Sequence, residues 1–203
     1  MTAQILASEL STIIAESKKK NVELRTSADK SSQELKALPQ TSESQLSGDL
    51  RRRPQFASPF LTACRSANAK LALPGVTALQ RLIVSQGLSA ERLRETLDAL
   101  QDCSKLSLDV QLKVLQSLPS LLQNFSQYLE GDLQAKVFEI CTTLQQVKSA
   151  PVSSTASATL QQVVSSIFEK LEKEDGASTV PSTKKNPLIE TKIERMSCHR
   201  LLS

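Results

Sequence analysis

The chain has 203 residues and a formal net charge of +4, to which residues 177–203 contribute five basic and two acidic side chains. Residues 1–176 therefore carry a net charge of +1, and the chain has a single Tyr and no Trp. A nearly neutral chain with little to stack on bases argues against nucleic-acid binding. Hydrophobic residues make up 39% but aromatic residues only 3%, so aliphatic side chains must form the core, which favours helix-on-helix packing.

The N-terminal part of the chain predicts three helices. Apolar residues recur along one face of residues 2–17, and Lys18-Lys19-Lys20 then stands at the helix end that favours positive charge. A second amphipathic helix is predicted over residues 22–38. Ser42 and Gln45 have the spacing of a capping box, which predicts a short helix to about residue 50.

A junction at Arg51-Arg52-Arg53 separates these helices from the central ones. Pro54 can begin a helix, and we expect that helix to reach about residue 67. Another is expected over residues 70–86, with irregular first turns at Pro74-Gly75. Ser89 is predicted to cap a further helix that ends near residue 104.

A long helix capped by Ser107 is predicted next, with a kink rather than a stop at Pro119. Its apolar stripe comprises positions 108, 112, 115, 118, 122, 125 and 129, widened by Val114 and Leu121. Its wet side is expected to hold Gln111, Lys113, Gln116, Ser117, Ser120 and Gln123. Asp132 is expected to cap the following helix, and Pro151 to precede the last one. The packing residues predicted for the last helix are Leu160, Val163, Val164, Ile167, Phe168 and Leu171.

Three series of residues recur along these helices. The pair Leu-Gln returns at positions 79, 115 and 160, and glycines at 87, 131 and 176 are predicted to close the same helices in a left-handed conformation. Cysteines at 64, 103 and 141 lie in the intervening helices. Two interleaved helix types with a period of about 40 residues are typical of armadillo and HEAT repeats. The predicted fold is therefore an all-α helical-repeat solenoid of about eight to nine helices.

The C-terminal residues differ from the rest. Residues 176–203 are rich in Ser, Thr, Pro and Lys and are predicted to be a disordered tail, so the expected division is a repeat domain over 1–175 and this tail. The segment 196–203 reads as foreign to the chain. The chain shows no secretory signal and no apolar run long enough to span a bilayer, and its four widely spaced cysteines fit a reduced, cytosolic protein.

Catalytic and metal-binding patterns are not apparent in the sequence. The one histidine, His199, belongs to the tail, and there is no Gly-rich phosphate loop. Cys64, Cys103 and Cys141 can be interpreted as metal ligands, but their phase with the repeat favours buried small hydrophobic residues. Glu91, Glu95 and Asp98 form a carboxylate cluster that alternates with arginines, as on a solvated helix face. No catalytic, cofactor or metal residues are therefore assigned, and we do not expect an enzyme.

Two basic runs are the candidate contact sites. Arg51-Arg52-Arg53 is the stronger candidate for an anionic membrane surface or an acidic partner, because guanidinium groups bind phosphate and carboxylate in a planar fork. Lys18-Lys19-Lys20 is the weaker candidate. The alternative for both is a solvated loop or a helix end compensated by its charges, since three charges fall short of a usual polybasic segment.

Segments 71–83 and 106–122, including Ala78-Leu79-Gln80-Arg81-Leu82-Ile83, resemble a known family. They are similar to the N-terminal DCB (dimerisation and cyclophilin-binding) domain of the large Arf guanine-nucleotide-exchange factors and their relatives. Together with the opening Ile5-Leu6-Ala7-Ser8-Glu9-Leu10, they look most like a fungal Golgi and endosome scaffold of that family. The resemblance covers about residues 3–175.

The resemblance implies an all-helical, armadillo-like, non-catalytic scaffold module. It also implies a cytoplasmic protein, peripheral on Golgi, trans-Golgi-network and endosome membranes, that acts in vesicle-mediated protein transport. The partners implied for the full-length protein are an Arf-like small GTPase, a Dopey-type scaffold and a flippase, and self-association is a further contact. The alternative function is a generic helical-repeat adaptor that binds a peptide or helix in its groove.

Overall fold

A computed structural model describes residues 2–17, 21–38 and 42–178, and every regular element in these residues is helical. The all-α expectation is confirmed. The α-helices are α1 (Ala3–Glu16), α2 (Val22–Ala37), α3 (Glu43–Arg51), α4 (Ser58–Arg65), α5 (Ala69–Val84), α6 (Leu93–Cys103), α7 (Leu108–Phe125), α8 (Asp132–Gln145) and α9 (Ala150–Ser178). Short 3₁₀ helices occupy Pro54–Ala57, Ala90–Arg92 and Ser126–Tyr128.

The helices of residues 1–167 form two layers. In one layer α5 packs against α1 on one side and α7 on the other, and in the second layer α2, α4, α6 and α8 pack in that order. Between the layers the helices contact each other in pairs: α1 with α2, α4 with α5, and α6 with α7. Beyond Ile167 the described part of the chain continues as α9 to Ser178.

The order of the layers is reversed in the first pair. In the pairs α4–α5 and α6–α7, the first helix lies in the α2–α4–α6–α8 layer and the second beside α5. In the pair α1–α2 the first helix packs against α5 and the second against α4. The first pair therefore places α1, and with it the residue Glu9, beside the outer face of α5.

The recurring residues follow this layering. Leu79 of α5 and Leu115 of α7 are fully buried, and Leu160 of α9 is partly buried. The three cysteines lie in α4, α6 and α8, all buried as free thiols. The Cys103 thiol donates a hydrogen bond of 3.5 Å to the Cys64 carbonyl oxygen. The hydrogen bond that the Cys64 thiol makes with the Cys103 side chain, together with burial, raises the pKa of Cys64. Burial raises the pKa of Cys141 to about 11.

The glycine series is only partly as predicted. Gly131 has a positive φ of 52° at the start of α8, but at the end of α5 the positive φ of 57° belongs to Gln86 rather than to Gly87. Gly176 lies inside α9 and closes nothing. The left-handed position after α5 is thus occupied by a residue with a side chain, and that side chain makes contacts described below.

Helix starts differ from the sequence predictions in their capping. Ser42 caps α3 as predicted, since its hydroxyl accepts a 3.2 Å hydrogen bond from the Gln45 amide. The helices predicted from Pro54 and Ser89 both begin as 3₁₀ turns, and neither Ser89 nor Ser107 makes a side-chain cap hydrogen bond. Asp132 is the first residue of α8 rather than its cap. Its carboxylate binds an arginine of a neighbouring helix instead.

The predicted faces of α7 and α9 need correction. Leu108 is 44% exposed because it stands in the first turn of α7, whereas Gln111 and Ser117 are buried. Both polar groups are satisfied locally: the Gln111 amide donates to the Ser104 carbonyl oxygen (3.0 Å) and the Ser117 hydroxyl to that of Val114 (2.6 Å). On α9, Val163 is buried, but Val164 and Phe168 are exposed. The helix α7 continues through Pro119, and Pro151 lies inside the first turn of α9.

Close packing of α4 and α5 depends on Gly75. The α5 helix is continuous over Pro74-Gly75, so the irregular first turns predicted there are absent from it. A Cβ atom at Gly75 would lie 2.9 Å from the Phe60 carbonyl oxygen and 3.1 Å from the Cys64 Sγ atom. The glycine therefore permits an approach of the two helices that any side chain would prevent.

Candidate interaction surface

A groove runs along the outer face of α5 beside α7. Its α5 residues recur with helical spacing, so they form one stripe. We call it the cationic groove, defined by its lining residues Thr77, Gln80, Arg81, Val84, Ser85 and Lys113. Its volume is about 510 Å³. It exists because α5 is the middle helix of its layer and is flanked by α1 and α7.

Two basic side chains, Arg81 and Lys113, line the groove, and the Glu9 carboxylate lies beside it. The Arg81 Nε atom lies 3.9 Å from the Glu9 Oε1 atom of α1, and the Lys113 ammonium donates a 3.5 Å hydrogen bond to the Gln80 side-chain oxygen. Burial of the Glu9 side chain, which is 19% exposed, raises its pKa, while Arg81 and Lys113 act in the opposite direction. The Arg81 Nε atom is buried without a hydrogen-bond partner.

The side chains that line the cationic groove are suited to binding an anion. Guanidinium and ammonium groups offer several donors to an anion, and Val84, which is 55% exposed, adds an apolar contact next to them. The Thr77 hydroxyl already donates to the Leu73 carbonyl oxygen at 2.8 Å, so it is not poised as a nucleophile. These residues were not among the sites predicted from the sequence, although positions 77, 80, 81, 84 and 85 have helical spacing and four of the five are polar.

The arginines of the run at the end of α3 differ in their contacts. The Arg51 Nε atom donates to the Gln86 carbonyl oxygen at 2.8 Å, and the Arg52 guanidinium forms a 2.6 Å ion pair with Asp49. The side chain of Arg53 is exposed. The assignment of this run to a membrane or partner contact stays a prediction. The weaker candidate, Lys18-Lys19-Lys20, lies outside the described residues.

Two ion pairs join α6 to α8, and one of them involves Asp98 of the predicted carboxylate cluster. Arg94 pairs with Asp132 at 2.8 Å, and Asp98 pairs with Lys136 at 2.5 Å. The charges alternate along each helix and are opposite across the pair, so the two bridges match the packing of α6 on α8. The hydrogen bond from Arg94 lowers the pKa of Asp132. A solvated face was predicted here; the Arg94–Asp132 pair is exposed, but the Asp98–Lys136 pair is half-buried.

Within the described residues, no group of three or more His, Cys, Asp and Glu side chains is arranged to hold a metal ion. In the same part of the chain, none of the helices combines the length and the apolar character needed to cross a membrane. His199 lies outside the described residues. What the described part presents is a stack of helix pairs with a cationic groove on one layer, which defines a helical-repeat interaction domain.

Comparison with known proteins shows the family. The family model described as "Mon2/Sec7/BIG1-like, dimerisation and cyclophilin-binding domain" matches residues 2–175, and the chain belongs to this DCB family. Protein MON2 of Saccharomyces cerevisiae is 38% identical over 168 residues, which cover 82% of this chain. The homolog in Schizosaccharomyces pombe is 29% identical over 82% of the chain, and the human homolog 28% identical over 60%. The matched region is 10% of each yeast relative's length and 7% of the human one.

Proposed function

We propose that this chain is the non-catalytic interaction module of a peripheral Golgi and endosome protein in vesicle-mediated protein transport. The observation that carries the proposal is the DCB family match over residues 2–175, together with the similarity to Protein MON2. An interaction module needs surface rather than reactive groups, and stacked helix pairs supply an extended surface. The cationic groove is the part of that surface with the most distinct chemistry.

The proposed partners belong to the full-length protein. They are an Arf-like small GTPase, a Dopey-type scaffold and a flippase, with self-association through this domain as a further contact. The family description, which includes dimerisation, supports self-association. Protein contacts suit a domain whose first 176 residues are nearly neutral, because such a domain has no broad field with which to hold a membrane.

A generic peptide adaptor unrelated to the Golgi is the second candidate, and the cationic groove is the observation that favours it. Both functions use the same surface, so the location of the protein separates them. We expect the tagged full-length protein to overlap with Golgi and endosome markers in cells, and a uniform cytoplasmic distribution would favour the adaptor.

Pull-down with the tagged chain tests the contacts themselves. The chain should recover components of vesicle transport from a lysate and should also recover a second, differently tagged copy of itself. The tag alone serves as the control and should recover neither. Recovery of neither class by the wild-type chain would contradict the proposal.

A further inference from the structure

We propose that the cationic groove is a docking site for a short acidic peptide segment of a protein partner, with a carboxylate beside an aliphatic residue. The inference rests on the proposed function, because it names the chemistry of a partner that an interaction module would bind. It follows from the charge, the packing and the shape of the α5 face.

The first step concerns charge. Arg81 and Lys113 both face the groove, and Glu9 balances one of these two cations from the side of α1. The groove thus keeps one excess positive charge in a domain whose first 176 residues are otherwise nearly neutral. A carboxylate that enters the groove would restore the balance, whereas a basic or neutral segment would not.

The second step concerns unused hydrogen-bond capacity. The Arg81 Nε atom is buried, has no hydrogen-bond partner and lies 3.9 Å from the Glu9 oxygen, which is too far for a hydrogen bond. Lys113 has three donors, and its contact with Gln80 is long, at 3.5 Å. Because the Nε atom is buried, the exposed part of the Arg81 guanidinium, whose side chain is 39% exposed, and the Lys113 ammonium would donate the charge-assisted hydrogen bonds to a carboxylate bound between them.

The third step concerns the apolar rim. Val84 is 55% exposed and lines the same groove one helical turn from Arg81. Exposed aliphatic surface next to a cation matches a segment that pairs an acidic residue with an aliphatic one. A groove of about 510 Å³ is also in the range that accommodates a few side chains.

The test uses a library of random short peptides displayed on phage and panned on the whole chain. The wild-type chain should enrich peptides that carry Asp or Glu beside an aliphatic residue. The double variant Arg81→Gln with Lys113→Gln should not enrich them. The charge-matched control, Lys105→Gln with Lys148→Gln, changes two exposed lysines outside the groove and should enrich the same peptides as wild type.

An enriched peptide, synthesised with a fluorophore, then gives affinities by polarisation. The groove variant should lose about tenfold in affinity or more, and the loss should shrink as salt rises. Lys113→Gln alone leaves the Arg81–Glu9 pair in place and should show a smaller loss of peptide affinity. Glu9→Gln should bind the peptide more tightly than wild type. Thermal melts of each variant show whether the chain is still folded.

Three results would overturn the inference: no enrichment by wild type, enriched peptides without acidic residues, or equal binding by the groove variant and its control. Sedimentation with vesicles that contain phosphatidylserine separates a lipid from a peptide. If the groove variant loses vesicle binding and no acidic peptide is enriched, the occupant is a lipid phosphate and the peptide assignment is wrong. If peptides fail but the chain still recovers partners in pull-down, the inference fails and the proposed function stands.

Discussion

Arg51 at the end of α3 binds the backbone of Gln86, the residue that leaves α5 with a positive φ. The Arg51 Nε atom donates to the Gln86 carbonyl oxygen at 2.8 Å, and the Gln86 side-chain amide in turn donates to Asn124 of α7 at 3.3 Å. The Asn124 amide closes the network by donating to the Ile83 carbonyl oxygen at 3.0 Å. A residue from the arginine run therefore joins the end of α3 to the turn after α5, and Asn124 joins that turn to α7.

This network predicts unequal stability effects within the arginine run. Arg51→Gln should lower the free energy of unfolding by about 0.5–1.5 kcal/mol, because it removes a hydrogen bond to a helix-end carbonyl. Arg53→Gln should change it by less than about 0.5 kcal/mol, since Arg53 is an exposed residue that takes no part in the contact between Arg51 and Gln86. Urea unfolding of the two variants makes the comparison. Equal midpoints would show that the Arg51 contact does not persist in solution.

Gly75 predicts opposite effects of the same substitution at two helical glycines. Gly75→Ala should destabilise by about 1–3 kcal/mol, because the new methyl group meets the Phe60 carbonyl oxygen at 2.9 Å. Gly48→Ala, inside α3 with nothing within 4 Å of the new methyl group, should stabilise by about 0.5–1 kcal/mol. Thermal or urea unfolding reports both. Stabilisation by Gly75→Ala would mean that α4 and α5 are less closely packed than described.

The sequence was sufficient to predict the helices and their alternation, and the physical reason lies in local patterns. The burial of Leu79, Leu115 and the three cysteines follows from the apolar spacing within each helix, so it can be predicted one helix at a time. The reversed first pair is a long-range choice, so the position of Glu9 beside Arg81 could not be read from spacing. Prediction of the cationic groove required both local and long-range information. Its stripe on α5 is a local pattern, but the flanking helices α1 and α7 are placed by long-range packing. The Gln86 turn was missed because a glycine stands next to it.

The buried stripe of α7 predicts a contrast between two of its leucines. Leu115→Ala should cost about 2–5 kcal/mol, because Leu115 is fully buried between the layers. Leu108→Ala removes the same atoms from a side chain that is 44% exposed and should cost less than about 1 kcal/mol. Unfolding midpoints with a shared urea slope measure the difference. A cost under about 1 kcal/mol at Leu115 would contradict the two-layer packing.

Glu9 predicts a pH-dependent contribution to stability. Burial raises the pKa of its carboxyl in the folded chain, so the charged form is disfavoured there relative to the unfolded chain. The resulting destabilisation is present above the folded pKa and is relieved as pH falls through it toward the unfolded value near 4.5. Glu9→Gln should therefore be more stable than wild type at pH 7, and the difference should vanish near pH 4.

The control for this experiment is Glu91→Gln, at an exposed glutamate on the 3₁₀ turn before α6. The stability of this variant should differ little from that of wild type at both pH values. Urea midpoints of wild type and of both variants at the two pH values make the comparison. If Glu9→Gln is less stable than wild type at pH 7, the ion pair with Arg81 outweighs the burial of the carboxylate.

The last prediction returns to the arginine run as a membrane contact. Replacing Arg51, Arg52 and Arg53 with Gln should weaken co-sedimentation of the chain with anionic vesicles, more at low salt than at high salt. Each charge near the surface contributes about 1 kcal/mol. All three arginines are exposed, but Arg51 is hydrogen-bonded to Gln86 and Arg52 is paired with Asp49, so each of these two would give up a contact to bind a membrane. Arg53→Gln alone should therefore account for more of the loss than Arg51→Gln, whose guanidinium is held by Gln86. The comparison variant replaces Lys18, Lys19 and Lys20 with Gln. If wild type does not sediment, or if the lysine variant loses more binding, the arginine run has a structural role alone and protein contacts recruit the domain.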